Sequence, residues 1–360
     1  MIINSIKPIL KKILKPAASA VYSVAKSQYE DSSWKQGVSA VMAARNESYN
    51  LPIALESLIG FADQIICVDN GSTDDSLMKM KIFQEKFSSL IPIEVIEAPG
   101  KLLGECKNIG LKHSKFNWHL RWDADMVFRQ NTGKYNSAWL KEKIMGIEWP
   151  TAFRLARINL SGDFHHVSKL FDVVDDGEAF LVKRTKNMSY NEDGRFDVLR
   201  IPMFYDVLKI PEPIVYHLTQ LKAIERILYR NEFVNWRQSV NNENNKEDLE
   251  TFRKGWDRKV FGTDNRNSVI YRFHKKFVLL YSSPLDLKLY GPYPEQIQKA
   301  IDEGNERYWY EYQNGIAVAR KDKEDLFLDN YRPTAEDLEW DVIAHLKNIL
   351  SEKEQQKIGI

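Results

Sequence analysis

Two carboxylates lie one residue apart in the segment HLRWDADMVF, residues 119–128, where an apolar strand is expected to end. Asp123 and Asp125, separated by the small Ala124, can both turn an oxygen toward one divalent cation. Mg²⁺ and Mn²⁺ favour carboxylate oxygens, and an ion held by one or two carboxylates normally completes its shell with substrate phosphates. An Asp-x-Asp pair also occurs by chance in loops, so its structural context has to decide what it does.

The chain around this pair alternates between strand and helix patterns. Apolar runs predict buried strands at residues 37–44, 64–74, 91–99 and 117–125. Apolar residues at helical spacing predict helices at residues 50–62, 75–87 and 104–114. Strands that alternate with helices form βαβ units, so we expect an α/β fold with a mostly parallel sheet flanked by helices.

Polar side chains follow the ends of three of these strands. They are Arg45, Asn46 and Glu47 after the first strand, Asp69, Asn70 and Ser72 at the second, and Asp123 and Asp125 at the fourth. Ligands of parallel sheets bind beyond the carboxyl ends of the strands. We therefore expect these side chains to converge on one edge of the sheet and to form a metal–phosphate site there.

Three segments together are more specific than any single motif. They read VSAVMAARNESYNLPIALESL, IICVDNGSTDDS and GECKNIGLKHSKFNWHLRWDADMVF, and they cover roughly residues 37–128. In this order they resemble the opening strand and helix, the second-strand signature and the Asp-x-Asp strand of the family-2 glycosyltransferases. The family usually has Arg where this chain has Lys107, which keeps the positive charge. The resemblance implies a GT-A fold, with a Rossmann-like mixed sheet, and an inverting transfer from a nucleotide sugar.

The resemblance also implies which residues lie near the nucleotide. Ala43, Arg45 and Glu47 would border it from the first loop, and Lys107 and Asn108 would line the same side of the site. Glu47 has a simpler interpretation as well, because an acidic residue stabilises the N-terminus of a helix.

Three aspartates have more specific implied roles. Asp69 would accept a hydrogen bond from the base, usually uracil, whose N3–H is a donor. Asp123 would lie by the ribose and the metal, and Asp125 would bind the metal directly. Asp69 could instead form an Asx-type turn with the residues that follow it.

The acceptor side is expected between residues 129 and 240. An acceptor hydroxyl loses its proton as it attacks, so a carboxylate must lie within hydrogen-bond reach. The resemblance implies such a base between the Asp-x-Asp pair and a later histidine. Asp197 in GRFDVL is the first candidate, and Asp193 and Glu192 are its rivals.

His217 is predicted to end a strand just before an amphipathic helix. This resembles the strand–His–helix segment with which some family members complete the metal shell. A neutral imidazole is a suitable third ligand for a Mn²⁺-like ion. A histidine that caps or packs against the helix is the alternative.

The chain is expected to have three parts. Residues 1–36 form a basic amphipathic segment that lies on an anionic membrane surface, packs on the domain as an extra helix or is a frayed tail. Residues 37–240 form the catalytic domain, with a nucleotide-binding half at 37–128 and an acceptor half at 129–240. Residues 241–360 form a mainly helical C-terminal extension.

Composition excludes several other classes of protein. A net charge of +1 argues against a nucleic-acid binder, which normally has a strong basic excess. Two cysteines provide no disulfide framework, which favours a reducing compartment. No apolar run approaches the about 20 residues that span a bilayer. We therefore expect a cytoplasmic protein, with peripheral contact at the inner face of the membrane as a further option.

The sequence thus predicts a metal-dependent glycosyltransferase that moves a sugar from a UDP-sugar to an acceptor hydroxyl with inversion, in glycan or surface polysaccharide synthesis. The cofactor would be Mn²⁺ or Mg²⁺, and glycan, lipid-linked and protein acceptors all stay open. A sugar-nucleotide-forming nucleotidyltransferase is one alternative, but the loop AARNES lacks the glycines of its phosphate loop. A catalytically silent nucleotide-sugar binding module is another, but it would be expected to lose Asp123 or Asp125.

Overall fold

The structure is a computed structural model that describes residues 14–130, 133–174, 178–192, 197–222, 224–239, 247–280, 283–303, 310–313, 316–319 and 334–360. The chain divides into two compact units. The first lies within Met1–Arg157, Asp175–Tyr216 and Pro292–Gln296, and the second within Ile158–Val174, His217–Gly291 and Ile297–Ile360. The domain boundaries proposed from the sequence stay predictions.

The strands, in chain order, are β1 (Lys35–Ala44), β2 (Gln64–Asp69), β3 (Ile93–Glu97), β4 (Phe116–Trp122), β5 (Met126–Phe128), β6 (Thr151–Arg154), β7 (Arg157–Ser161), β8 (His166–Val167), β9 (Val173–Val174), β10 (Ala179–Lys183), β11 (Ser189–Tyr190), β12 (Leu199–Arg200), β13 (Asp206–Lys209), β14 (Val215–Gln220), β15 (Ser283–Pro284), β16 (Tyr310–Gln313) and β17 (Ile316–Ala319).

The helices are α1 (Lys26–Tyr29), α2 (Leu51–Glu56), α3 (Ser76–Phe87), α4 (Leu103–His113), α5 (Ser137–Met145), α6 (Ile224–Ser239), α7 (Leu249–Phe261), α8 (Arg266–Leu280), α9 (Leu287–Tyr290), α10 (Glu295–Asp302), α11 (Ala335–Glu339), α12 (Val342–Ile349) and α13 (Glu352–Ile358). Residues 14–24 are helical as well.

The first unit is built on a seven-stranded sheet of order β13-β6-β10-β4-β1-β2-β3. The pairs β1–β2, β1–β4, β2–β3 and β13–β6 are parallel, whereas β10 runs antiparallel to both of its neighbours. The predicted α/β fold with a mostly parallel sheet flanked by helices is therefore confirmed.

Strand register brings three strand ends to one edge of the sheet. Ala44 of β1 pairs with Asp69 of β2, and Met42 of β1 pairs with Trp122 of β4. Each of these strands ends within two residues of its neighbour, so the loops that follow them start side by side. The convergence expected from the sequence pattern is thus present in the backbone.

Several predicted elements end earlier in the structure than predicted, including the strands predicted at 64–74 and 91–99, which end at Asp69 and Glu97. The strand predicted at 117–125 ends at Trp122, because a hydrogen bond from Met126 N to Asp123 O (3.1 Å) closes a turn. Helix α2 ends at Glu56, and the chain turns at Gly60, whose φ of 86° lies in the left-handed region. Leu58 and Phe61 stay buried beyond the helix end, which explains the longer apolar pattern.

The second unit contains β-strands and most of the C-terminal helices. Strand β8 pairs with β7 and β15, and β16 pairs with β17. Buried Asp337 accepts hydrogen bonds of 3.0 Å from Ser268 Oγ and from Arg272 Nε, which ties α11 to α8. The expected helical C-terminal extension is confirmed. Among the described residues, no helix is both long enough and apolar enough to cross a bilayer.

The N-terminal helix packs on the first unit through an aromatic cluster. Tyr22 is 2% exposed, and its ring centroid lies 4.7 Å from that of Phe204 and 5.0 Å from that of Trp149. The Tyr22 hydroxyl also donates to Glu30 Oε1. For residues 14–29 the structure therefore shows a packed helix, while the lysine-rich residues 1–13 lie outside the described residues.

Replacing Tyr22 by alanine is expected to destabilise the first unit by about 3 kcal/mol, because a buried aromatic ring leaves a cavity. Tyr22→Phe is the matched control, since it keeps the ring and loses only the bond to Glu30, at a cost of about 1 kcal/mol. Urea unfolding of the three proteins measures both values. Equal stability of the alanine variant and the wild type would show that the helix is not packed there.

Candidate active site

The first loop of the site is held by side chains of the loop after β2. Asn46 has a φ of 56°, and its Oδ1 accepts a 2.7 Å hydrogen bond from Thr73 N. Asn46 N donates to Ser72 Oγ (3.0 Å), and Glu47 N donates to Ser76 Oγ (2.8 Å). These bonds fix the main chain of the Asn-Glu loop against the neighbouring loop, so the two loops form one rigid edge.

Two predicted nucleotide contacts lie at the start of this loop. Ala43 is 8% exposed near the end of β1, and the Arg45 side chain is exposed. Their roles, like that of Glu47, stay predictions.

Asp69 is the last residue of β2 and is 2% exposed. Its Oδ2 accepts hydrogen bonds of 3.0 Å from Gly71 N and Ser72 N, which is the Asx-type turn considered from the sequence. Its Oδ1 is buried and has no hydrogen-bond partner among the described residues. A buried acceptor without a donor costs about 1–3 kcal/mol, so the turn leaves this oxygen ready for a donor from a ligand.

The predicted metal carboxylates lie in the turn between β4 and β5. Asp123 has a side chain 29% exposed, with Oδ1 3.5 Å from Lys107 Nζ and Oδ2 3.3 Å from Arg121 Nη2. Asp125 is only 6% exposed. These two Asp123 contacts are longer than the about 2.7–2.9 Å of strong charge-assisted hydrogen bonds.

The two acidic side chains fit a hard divalent cation, because carboxylate oxygens are what such an ion prefers. Across the part of the chain that the structure describes, no three His, Cys, Asp or Glu side chains form a complete ion cage. The ligand roles of Asp123 and Asp125 therefore stay predictions.

Lys107 lies at the centre of a buried charge cluster. Its side chain is 1% exposed, and its ammonium contacts Asp197 Oδ2 as well as Asp123. Arg121 Nη2 lies 3.4 Å from Asp197 Oδ2, and Arg121 Nη1 lies 2.7 Å from Glu178 Oε2. The cluster therefore joins the Asp-x-Asp turn to the segment that carries the predicted base.

The cluster keeps Asp197 ionised. Burial of this carboxyl opposes ionisation, but the nearby charges of Lys107 and Arg121 outweigh burial and lower its pKa below the usual value. For Arg121, burial likewise opposes the charge, and Asp123, Asp197 and Glu178 together raise its pKa. Both side chains are thus charged at neutral pH.

Asn108 makes hydrogen bonds with the segment that contains β11. Its Nδ2 donates to Tyr190 O (3.0 Å) and to Glu192 Oε1 (2.6 Å), and its Oδ1 accepts from Tyr190 N (2.7 Å). The side chain is 8% exposed. Its predicted place beside the nucleotide stays a prediction.

The Tyr190 side chain makes a buried hydrogen bond with a residue of β4. The Tyr190 hydroxyl lies 2.7 Å from Nε2 of His119 in β4. Burial, with added repulsion from Arg184, Lys107 and Arg121, lowers the pKa of His119 to about 3, so this histidine is neutral. Burial also raises the pKa of Tyr190.

Sequence reasoning did not single out Arg121, Glu178 or Tyr190. Arg121 lies inside an apolar strand, and the only sequence feature that could have identified it as a site residue is its charge at a position expected to be buried. Glu178 follows acidic residues in a segment that reads as a solvated turn, and Tyr190 reads as an ordinary core aromatic.

The remaining predicted site residues are less defined. Asp193 lies outside the described residues, and Glu192 is exposed. His217 belongs to the second unit, where its Nδ1 lies 3.0 Å from Asn159 Oδ1. Because an amide oxygen only accepts, Nδ1 is the donor in this contact. The metal-ligand role of His217 stays a prediction.

Comparison with known proteins gives a match for the segment that runs from β1 to the Asp123–Asp125 turn. Residues 39–133 match the model of the family described as Glycosyl transferase family 2. No curated protein matches the chain.

Solved structures give distant matches. S. aureus TarS 1-349 is 14% identical, with 79% of this chain and 96% of that chain covered, at a TM-score of 0.36. The mannosyltransferase PcManGT from Pyrobaculum calidifontis, in complex with GDP-Man and Mn²⁺, is 12% identical. The match covers 82% of this chain and 90% of that chain, at a TM-score of 0.39. Glucosyl-3-phosphoglycerate synthase from Mycobacterium tuberculosis, in complex with Mn²⁺, UDP and glucosyl-3-phosphoglycerate, is 18% identical. The match covers 38% of this chain and 46% of that chain, at a TM-score of 0.25. At these scores we transfer nothing from their ligands to this chain.

The family match spans the Asn-Glu loop, the Asp69 turn, Lys107 and the Asp123–Asp125 turn. The predicted resemblance is confirmed for this segment: residues 39–133 match a glycosyl transferase family 2 domain, and this match supports a glycosyltransferase.

Proposed function

We propose that this glycosyltransferase moves a sugar from a UDP-sugar to an acceptor hydroxyl with inversion and requires a divalent metal ion. The observation that carries the proposal is the buried Asp69 Oδ1, which has no donor among the residues that the structure describes and lies on the same sheet edge as Asp123 and Asp125. Asp69 is placed to bind the nucleobase, and Asp123 and Asp125 are placed to bind the metal ion that accompanies the diphosphate.

The preference for one nucleobase over another follows from hydrogen-bond chemistry. Uracil carries a donor at N3, whereas cytosine carries an acceptor there. The Asp69 carboxylate can therefore bind uracil and disfavours cytosine, since two facing acceptors leave a buried group unpaired. The bonds from Gly71 N and Ser72 N hold the other oxygen, so the free oxygen has a fixed direction.

Asp123 and Asp125 would hold Mn²⁺ or Mg²⁺. A bound ion supplies charge neutralisation for the diphosphate that leaves. The protein's own cations Lys107 and Arg121 lie beside Asp123 and can contribute to the same neutralisation.

The transfer reaction requires one carboxylate that acts as a general base. The acceptor oxygen attacks C1 of the sugar, the bond from C1 to the diphosphate oxygen breaks, and the acceptor proton passes to Asp197 or its rival Asp193. Lys107 and Arg121 lower the pKa of Asp197 in the present arrangement, with burial opposing them. A diphosphate near these cations would offset their charge and raise the proton affinity of Asp197 at the moment when it is needed.

Incubation of the whole chain with Mn²⁺ and a panel of sugar nucleotides tests this function. Release of free UDP on addition of a glycan, lipid-linked or protein acceptor is the expected result. Release of inorganic pyrophosphate from UTP and a sugar 1-phosphate would instead indicate a nucleotidyltransferase, and binding of a sugar nucleotide without release of UDP would indicate a silent module.

Asp125→Ala is expected to lower the rate of transfer by about 10²-fold or more, because a charge-stabilising group is lost. Glu85→Ala, which removes an exposed acid of α3, is the matched control. Steady-state rates with and without EDTA measure the effect. Full activity of the Asp125 variant in EDTA would refute the metal assignment.

Asp197→Asn is expected to lower kcat by roughly 10²–10⁴-fold while KM for the donor changes little, since the base acts only in the chemical step. Asp193→Asn and Glu178→Gln remove neighbouring negative charges and serve as controls. If Asp193→Asn abolishes transfer and Asp197→Asn does not, the two roles are exchanged. If all three variants are active, the base lies elsewhere.

We also propose that the basic N-terminus provides peripheral membrane contact in glycan or surface polysaccharide synthesis. Because Tyr22 packs on the first unit, the test removes only residues 2–13. We expect the shortened protein to leave the pellet of anionic liposomes while it keeps its activity toward a soluble acceptor. Neutral liposomes are the control. Equal sedimentation of both forms with anionic liposomes would contradict membrane contact.

A further inference from the structure

Helix α4 contacts the β11–β12 strand pair through one side-chain amide. Asn108 makes three hydrogen bonds there, two with the main chain of Tyr190 and one with the Glu192 carboxylate. Its Oδ1 and Nδ2 therefore bond to the main chain of β11 as the C=O and N–H groups of a neighbouring strand would. An amide that is 8% exposed and bonded in this way is engaged in holding protein main chain.

A glycine allows the helix to come this close. A Cβ atom at Gly104 would lie 1.7 Å from Asn191 O, a distance that no side chain tolerates. Gly104 and Asn108 are four residues apart and so share one face of α4. The close approach and the amide bonds therefore act on the same segment, from Tyr190 to Glu192.

The same strand pair leads to Asp197. Asn191 N donates to Val198 O (3.0 Å), which continues the pairing of β11 with β12. Asp197 directly precedes Val198, and its carboxylate contacts Lys107 of α4. One turn of α4 thus holds the main chain at Tyr190 and the carboxylate at Asp197.

We propose that Asn108 is a positioning residue that fixes the β11–β12 pair, and through it the Asp197 carboxylate, for the acceptor. The proposal rests on the proposed function, in which Asp197 takes the acceptor proton. It differs from the role that the family resemblance implies for Asn108, which is a contact to the nucleotide. The two roles separate kinetically, because a nucleotide contact changes donor binding and a positioning residue changes the chemical step.

The test combines Asn108→Ala with Asp197→Asn in the full-length protein. Asn108→Ala alone is expected to lower kcat by about 10-fold or more with donor KM within about 2-fold, because small misplacements of a reacting group are costly. In the Asp197→Asn background the same change is expected to alter kcat by less than about 2-fold, since it acts through Asp197. Amide exchange at Tyr190 and Asn191 is expected to accelerate.

Two further variants make the outcome decisive. Gly104→Ala displaces the same segment without removing Asn108, so it is expected to lower kcat in the same direction even if Asn108→Ala fails to fold. Lys112→Ala, on an exposed position of α4, is the control.

A raised donor KM with unchanged kcat in Asn108→Ala would overturn the positioning role while leaving Asp197 as the base. Additive effects of Asn108→Ala and Asp197→Asn would overturn it as well. Full activity of Asp197→Asn alone would overturn the base assignment itself.

Discussion

The buried ammonium of Lys107 is the interaction on which the rest of the site depends. Removing a lysine from water costs several kcal/mol unless anions compensate it. Asp123 and Asp197 compensate this charge, and they come from the turn after β4 and from the segment before β12. The lysine therefore requires both segments to be in place, and it couples the predicted metal carboxylate to the predicted base.

The position of Lys107 follows from how closely α4 packs. A Cβ atom at Gly110 would lie 2.3 Å from Val41 Cγ1, so this glycine lets the helix lie against β1. Gly104 does the same against Asn191 at the other end of the helix. Held at both ends, α4 directs Lys107 into the space between the sheet edge and the β11–β12 pair. A glycine-containing helix is thus a structural requirement of the charge cluster.

The alternation of strands and helices was predictable from the sequence because buried parallel strands read as continuous apolar runs. The edge that collects Asp69, Asp123 and Asp125 was predictable for the same reason, since the strands are parallel and in register. The end of β4 at Trp122 was not, because it depends on the turn that the hydrogen bond from Met126 N to Asp123 O closes.

The charge cluster could not be predicted from local pattern. Lys107 and Asp197 are far apart in the chain, and their pairing depends on where β11 and β12 lie on α4. Glu178 reads as part of an acidic turn, yet its carboxylate lies 2.7 Å from Arg121. Long-range pairs of this kind depend on tertiary structure, for which spacing along the chain gives no signal.

A double-mutant cycle on Lys107 and Asp197 measures the central interaction most directly. Lys107→Met, Asp197→Asn and the double variant are compared by urea unfolding of the whole chain. Because each single change leaves a buried charge partly unpaired, we expect a coupling free energy of about 1 kcal/mol or more. Single effects that sum to the effect of the double variant within about 0.5 kcal/mol would contradict the coupling of the two segments through Lys107.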